Sequence, residues 1–336
     1  MKRVLSGITP SGDALHIGNY FGAVKPQLDL QNEEIETFYF IADLHALTTV
    51  QDRDQLDRNI TNVVLDYLAL GLDPAKSAFF RQSDVPEHSQ LMVVLGNYIG
   101  LGQMKRMHAY KDKLQDGMNQ DSINMGLFNY PILMAADILV YKPFGVPVGE
   151  DQRQHIELTR DIADSFNNSY NVKHFPLPEP LISKTTGKII GTDGRRKMSK
   201  SLGNIIGIFD EPERIKQQIM RSYTDPNRLK ATDPGTIEGN PIFTYHDLIN
   251  DNLEEMEDLK KRYQAGQVGD VEVKQKLFAA HERLFSQSRQ KRKELENDFG
   301  LVRDILAQGA KRAREVASQT LAETYKVIGI HNQLNK

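Results

Sequence analysis

Two widely separated clusters carry residue types suited to phosphate chemistry. The first runs Pro10-Ser11-Gly12 and then His16-Ile17-Gly18-Asn19. His16 and Asn19 supply donors, and Gly18 removes a side chain so that a flat base can lie against backbone. A helix starting here would aim unpaired N–H groups at an anion. The bland alternative is a plain turn between strand and helix with an incidental histidine. The second cluster is Lys197-Met198-Ser199-Lys200-Ser201, preceded by Arg195 and Arg196, with Gly187, Gly191, Gly194 and Gly203 nearby. A glycine-rich cationic loop suits a triphosphate whose charge must be neutralised during reaction. A short charge run is also what a solvated surface loop looks like.

Two further segments look selective. Tyr130-Pro131-Ile132-Leu133-Met134-Ala135-Ala136-Asp137-Ile138-Leu139 has a helical pattern and is otherwise apolar. Tyr130, Met134 and Asp137 stand at i, i+4 and i+7 and so share one face. A carboxylate in an apolar run needs a partner, because an unpaired buried charge is costly. That partner is either a core Lys or Arg or an N–H of a ligand. Met134 can pack on an aromatic ring, though at helical spacing a methionine is more often plain core. Then Val146-Pro147-Val148-Gly149-Glu150-Asp151-Gln152 places a close-approach glycine, an acceptor and an amide at a helix start. Asp151 there also reads as a simple N-cap.

The elements that must position these groups alternate. Arg3–Leu5, Thr37–Ala42 and Ser77–Gln82 read as buried strands. Helices are expected over Ile17 to about Glu34, which Pro26 must kink or interrupt, and over Asp54–Leu70, with Asp52 or Asp54 as cap. Strands alternating with helices predict an α/β fold, a parallel sheet covered on both faces. After about Gly207 the chain is rich in Glu, Lys, Gln, Leu and Ala, and Glu254–Gln264, Val271–Phe299 and Leu301–Val327 read as long helices. A domain change is expected near residue 205.

Composition narrows the chemistry. The chain of 336 residues has no cysteine, which excludes disulfides, thiolate metal sites and a thiol nucleophile. Lys and Arg total 42 against 45 acidic residues, so a nucleic-acid partner would have to be met by a local patch. The start lacks a secretory pattern and no stretch is apolar enough to span a bilayer. The expectation is a cytoplasmic protein without membrane contact.

Taken together, the His-Ile-Gly-Asn and Lys-Met-Ser-Lys-Ser clusters, about 180 residues apart, resemble the paired signatures of class I aminoacyl-tRNA synthetases. The Tyr130–Asp137 and Val146–Gln152 segments, with Ala42-Asp43-Leu44-His45-Ala46-Leu47-Thr48 and Gly309-Ala310, narrow that resemblance to the bacterial tryptophanyl-tRNA synthetases. It extends from Ser6 to about Ile328. It implies a Rossmann-type ATP and amino-acid activation domain over residues 1–205. An all-helical anticodon-binding domain over 206–299 and a C-terminal helix, 300–336, packing back on the first domain complete the implied layout. It also implies ATP with Mg²⁺, L-tryptophan and tRNA(Trp) as ligands, a homodimer, no resident metal and no editing domain.

Carried over by residue, the resemblance gives Asp137 as acceptor for the indole N–H. Met134, Ile138, Val146, Val148 and Leu5 become pocket walls, His45 an imidazole near the ring, and Tyr130 and Gln152 the holders of the α-amino group. His16, Asn19, Lys197 and Lys200 match the catalytic set. Thr9, Ser11, Gly18, Gly149, Asp151, Lys113, Met198 and Ser199 join it around ATP. The sequence departs from the family pattern in places. Gly12 to His16 is one residue longer than usual, Thr9 stands where glutamine is common and Leu5 where phenylalanine is common. Met107-His108-Ala109-Tyr110 and Ile189–Gly194 also differ. The alternatives are a tyrosyl-tRNA synthetase, a small-molecule nucleotidyltransferase and a non-catalytic paralogue. The Tyr130–Asp137 helix, the long helical region and the intact nucleotide residues respectively argue against them. The basic runs Arg289–Lys293 and Lys311–Arg314 read more readily as solvated helix faces than as phosphate contacts.

Overall fold

The computed structural model describes residues 2–10, 12, 15–115, 117, 119, 122–182, 189–226, 228, 230 and 232–330. Apolar runs without polar alternation become strands buried on both faces. β1 (Lys2–Ile8) lies between β2 (Ile35–Ile41) and β4 (Gly145–Pro147). β3 (Ser77–Arg81) extends the sheet beyond β2, and β5 (Glu179–Leu181) beyond β4. The order is β3-β2-β1-β4-β5 and every pairing is parallel. The connection out of β1 goes to one side and the chain later returns on the other, so the β1–β4 junction is a topological switch point. Parallel sheets bind ligands in the crevice at such a point, beyond the carboxyl ends of the strands.

Beyond β1 the expected kinked or interrupted helix is three pieces. One turn, α1 (Ile17–Asn19), is followed by a π-helical stretch at Tyr20–Val24 and then α2 (Lys25–Leu30). Pro26 sits at the start of α2, where its missing N–H costs nothing, and the π stretch absorbs the misfit upstream. α3 (Asp43–Ala46) follows β2. α4 (Arg53–Ala69) is capped by Asp52, whose side chain accepts from Gln55 N at 2.7 Å. α5 (Glu87–Leu95), α6 (Leu101–Met104), α7 (His108–Gln115), α8 (Met125–Leu139) and α9 (Arg153–Tyr170) occupy the span from β3 to β5. The C-terminal part contributes α10 (Pro212–Met220), α11 (Pro241–Ile249), α12 (Leu253–Gln264), α13 (Asp270–Glu296) and α14 (Phe299–Val327).

Three apolar cores result. One joins a sheet face to α5, α8, α9 and α14 through residues such as Phe38, Phe80, Leu91, Leu139, Phe166 and Ala313. A second covers the opposite face with α4, through Tyr39, Ile41, Val64, Leu68 and Phe79. The third lies among α10–α13, and it also buries Ile17, Met198 and Ile205. Packing is therefore continuous across residue 205, and both nucleotide clusters are anchored in the helical core.

Candidate active site

α8 delivers its predicted face. Asp137 is 1% exposed at the base of a cavity of about 520 Å³ that opens at the carboxyl ends of β1 and β4. Its partners are neither Lys nor Arg. His45 Nε2 meets Oδ2 at 2.8 Å, while Gln82 Nε2 and His88 Nδ1 meet Oδ1 at 2.7 and 2.6 Å. His88 Nε2 pairs in turn with the Tyr141 hydroxyl at 2.8 Å. Burial alone would push the Asp137 carboxyl up; the hydrogen bonds and charge of His45 and His88 outweigh it and hold the group down at about 2. The cavity thus has an ionised acceptor on its floor.

The other residues expected around an amino acid meet in the same place. Leu5, His45, Tyr130, Met134, Ile138, Val146, Val148 and Gln152 all line this cavity. Met134 is half-buried on the face of α8 that it shares with Asp137, consistent with a wall rather than sealed core. Tyr130 Oη contacts His155 Nε2 at 2.7 Å, and burial raises the Tyr130 hydroxyl to about 12. The lining therefore combines apolar side chains with the polar groups of His45, Tyr130, Asp137 and Gln152.

A second cavity of about 390 Å³ shares Ser6, Gly7, Thr9, Val148 and Gln152 with the first, and adds Asn19 and Gly149. Thr9, Asn19 and Gly149 thus stand where a second ligand would abut the first. Asp151 is not the helix cap expected of it: α9 starts at Arg153 with Gln152 at the N-cap and no side-chain cap bond. Its carboxylate instead folds back over Gly149, where a Cβ would meet Oδ1 at 2.5 Å. His16 and Asn19 hold each other: Asn19 N donates to His16 Nδ1 at 3.3 Å, and His16 N donates to Asn19 Oδ1 at 3.2 Å. With Nδ1 accepting, the ring proton sits on Nε2. Gly18 serves this arrangement, because a Cβ there would lie 2.9 Å from the imidazole and 3.4 Å from Met198 Cβ.

The lysine loop is stitched to the first cluster and organised from below. Ile17 N donates to Ile206 O, and Ile208 N to Leu15 O, at 3.0 and 3.1 Å. Asn204, 3% exposed, accepts from Ser199 N at 2.8 Å and donates to Lys197 O and Asp193 Oδ2 at 3.2 and 3.1 Å. Asp193 also accepts from the backbone N–H groups of Arg195 and Arg196, which holds its carboxyl far below the usual range. Met198 is buried, whereas Lys197 and Lys200 are exposed and line neither cavity. Ser11 lies outside the described residues. Lys113 stands on α7, and its side chain is outside them too.

The sequence reading did not single out Gln82, His88 and Tyr141. Gln82 follows the last residue of β3, and His88 lies in the polar first turn of α5 between Glu87 and Ser89, so no local pattern marks either. Two members of the basic runs differ from the expected solvated face: Arg289 is 8% exposed and bonds Ile208 O and Glu282, and Arg292 bonds Asp66 and Asn62. Lys291, Lys293, Lys311 and Arg314 are exposed, as a solvated face requires, Arg314 while bonding Glu87.

Residues 1–286 match the family described as "tRNA synthetases class I (W and Y)". The tryptophan–tRNA ligase of Fusobacterium nucleatum is 46% identical over 330 residues, covering 98% of each chain. That of Rhodopirellula baltica is 46% identical over 328 residues, covering 98% of this chain and 99% of its own. Among solved structures, tryptophanyl-tRNA synthetase from Campylobacter jejuni, complexed with ADP and tryptophan, superposes with a TM-score of 0.88. It is 40% identical and covers 97% of this chain and 99% of its own.

Proposed function

The chain belongs to the class I tRNA synthetases for tryptophan and tyrosine, and on that premise we propose how its two joined cavities share the work. The activity is that of a tryptophan–tRNA ligase. L-tryptophan is activated by ATP to tryptophanyl-adenylate and transferred to tRNA(Trp), with release of pyrophosphate and AMP. The observation that carries the amino-acid assignment is the ionised, buried Asp137 lining a largely apolar cavity. Indole is large, flat and has one donor, and Asp137 Oδ2 can accept it beside His45. Met134 and Ile138 face Val146 and Val148 across the ring, and Leu5 closes the strand side. Tyr130 and Gln152 take the α-ammonium group.

In this arrangement the tryptophan carboxylate points toward the second cavity and its oxygen attacks the α-phosphorus of ATP. The bond from that phosphorus to the pyrophosphate oxygen breaks. Catalysis is positioning and charge stabilisation, with no enzyme nucleophile. Thr9, Ser11, Gly18, Gly149 and Asp151 seat the nucleoside, while His16 and Asn19 donate to phosphate. Lys197 and Lys200 close over the leaving group on the Met198–Ser199 backbone, with Lys113 as a further phosphate-side cation. Among the described residues no group of three or more His, Cys, Asp or Glu is placed to hold a metal ion. Mg²⁺ would accompany ATP and supply neutralisation of phosphate charge.

Residues 206–299 are assigned to reading the anticodon and 300–336 to bracing the catalytic domain. A homodimer is assigned to the surface where Val93, Leu101 and Met125 are 74%, 61% and 66% exposed on α5, α6 and α8. Sedimentation of Val93→Glu checks this: dissociation is expected, and an unchanged dimer rejects the surface. Among the described residues no helix is long and apolar enough to cross a membrane; the cytoplasm is the proposed compartment. ATP–pyrophosphate exchange across a panel of amino acids tests the whole reading. Exchange with tryptophan is expected. Exchange with tyrosine alone would overturn the pocket assignment, and none at all would indicate a non-catalytic paralogue.

A further inference from the structure

Tyr130 and His155 pose a question of hydrogen-bond polarity. A tyrosine hydroxyl has one proton to give. To accept from an ammonium group, Tyr130 must spend that proton elsewhere. The group in reach is His155 Nε2, 2.7 Å from the hydroxyl with ring centroids 5.4 Å apart. The other ring nitrogen, Nδ1, is buried without a hydrogen-bond partner among the described residues. An Nδ1–H tautomer leaves Nε2 bare to accept. An imidazolium, or the Nε2–H tautomer, would donate to Tyr130 instead and turn the tyrosine proton into the cavity, against the ligand's cation.

We infer that His155 is a positioning residue for the tryptophan ammonium group, acting as an uncharged acceptor that orients the Tyr130 hydroxyl. This rests on the reading of the larger cavity as the tryptophan site. The surroundings favour the uncharged ring: burial, then His45 on α3 and, more weakly, His108 on α7, lower its proton affinity, against Asp151 on the turn before α9. Asp112 on α7 faces the Tyr130 side of the pair. Tryptophan binding and protonation of His155 are therefore mutually exclusive. The ammonium stays charged across this range, so affinity falls as pH falls.

The chain has no tryptophan, so bound indole can be followed by its own emission. The probes are L-tryptophan and 3-indolepropionate, which lacks only the amino group. Both present the same indole to His45 and Asp137, so those groups cancel in the ratio of the two dissociation constants. In the wild type this ratio should shift against tryptophan as pH falls from 7.5, with an onset below the ordinary imidazole range because burial lowers the proton affinity of His155. His155→Gln keeps an acceptor and cannot titrate, so the ratio should stay flat at its wild-type neutral value. His155→Leu should weaken tryptophan about tenfold at pH 7.5, the scale of a hydrogen bond to a charged group, with indolepropionate unchanged. Tyr130→Phe should remove the pH dependence. Equal losses for both ligands in His155→Leu would make His155 merely structural, and a ratio in His155→Gln that falls with pH as the wild type's does would also overturn the inference. Wild-type protein that binds neither ligand overturns the tryptophan-site reading and this inference with it.

Discussion

Asp137 answers two demands at once, burial and charge. Its donors come from three elements: His45 from α3, Gln82 from the end of β3 and His88 from α5. Together they hold it ionised, so it accepts from a ligand without first losing a proton. Its carboxyl lies at about 2 against an ordinary 3.8. A depressed carboxyl contributes stability that is present above the unfolded value and is lost as pH falls through the folded one. The acid limb of the thermal-unfolding profile between about pH 4 and 2 should therefore flatten in Asp137→Asn. In exchange assays the same variant should lose tryptophan-over-phenylalanine discrimination by about 100-fold or more, within the range known for sites whose buried acceptor is left unpaired. The KM for ATP should stay within about threefold. An equal loss for ATP would make Asp137 a structural residue. The face carrying Tyr130, Met134 and Asp137 was legible because helical periodicity alone assembles it. Gln82 and His88 were not. Their convergence depends on β3 lying beside β2 and on α5 crossing α8, which no local pattern records.

At the scale of elements, the long helices and the first three strands followed from periodicity and turn residues, with shifts of a few residues at their ends, whereas the short β4 and β5 and the order of the sheet did not. After β1, a proline inside an apolar periodic run predicts a kink or an interruption, and the chain takes the interruption, a π-helical stretch that lets α2 begin at Lys25 and that no residue pattern specifies. The lysine loop was legible as a charge pattern, but not Asn204, whose single carboxamide ties Lys197, Ser199 and Asp193 together. Gly309 shows how an element contact can reverse an intrinsic preference. In an exposed helix interior, glycine to alanine gains about 1 kcal/mol. On α14, however, a Cβ at 309 would fall onto the Phe79 carbonyl of β3. Overpacking of that kind costs about 1–3 kcal/mol. Gly309→Ala should thus lower the thermal midpoint, and Gly309→Val should lower it further. A neutral or stabilising alanine would mean that α14 moves off β3 without penalty, and that the brace assigned to residues 300–336 is loose.

Across the whole molecule, basic and acidic residues nearly balance, and some arginines of the basic runs join the parts of the chain. Arg292 on α13 reaches Asp66 on α4 at 2.6 Å and Asn62 at 2.8 Å. Asp66 is 3% exposed, and burial raises its carboxyl to about 6 in spite of the arginine. The sign follows from that shift. A raised carboxyl contributes stability that is fully present below its unfolded value and is lost as pH rises through about 6. Above that pH the ionised Asp66 depends on Arg292, and removing one member of a buried pair leaves the other uncompensated. Arg292→Ala should cost about 2–3 kcal/mol at pH 7.5, somewhat under the fully buried range because Arg292 keeps 19% exposure. The loss should shrink as pH drops below 6, where Asp66 can shed its charge by taking up a proton. Adding Asp66→Asn should recover much of it at pH 7.5. Because the pair links the catalytic sheet's helix to the region assigned to tRNA, aminoacylation by Arg292→Ala should fall more than ATP–pyrophosphate exchange, which needs no tRNA. Equal falls in the two assays would show that the contact supports folding alone, while a loss of stability that ignores both pH and Asp66→Asn would remove the charge argument itself.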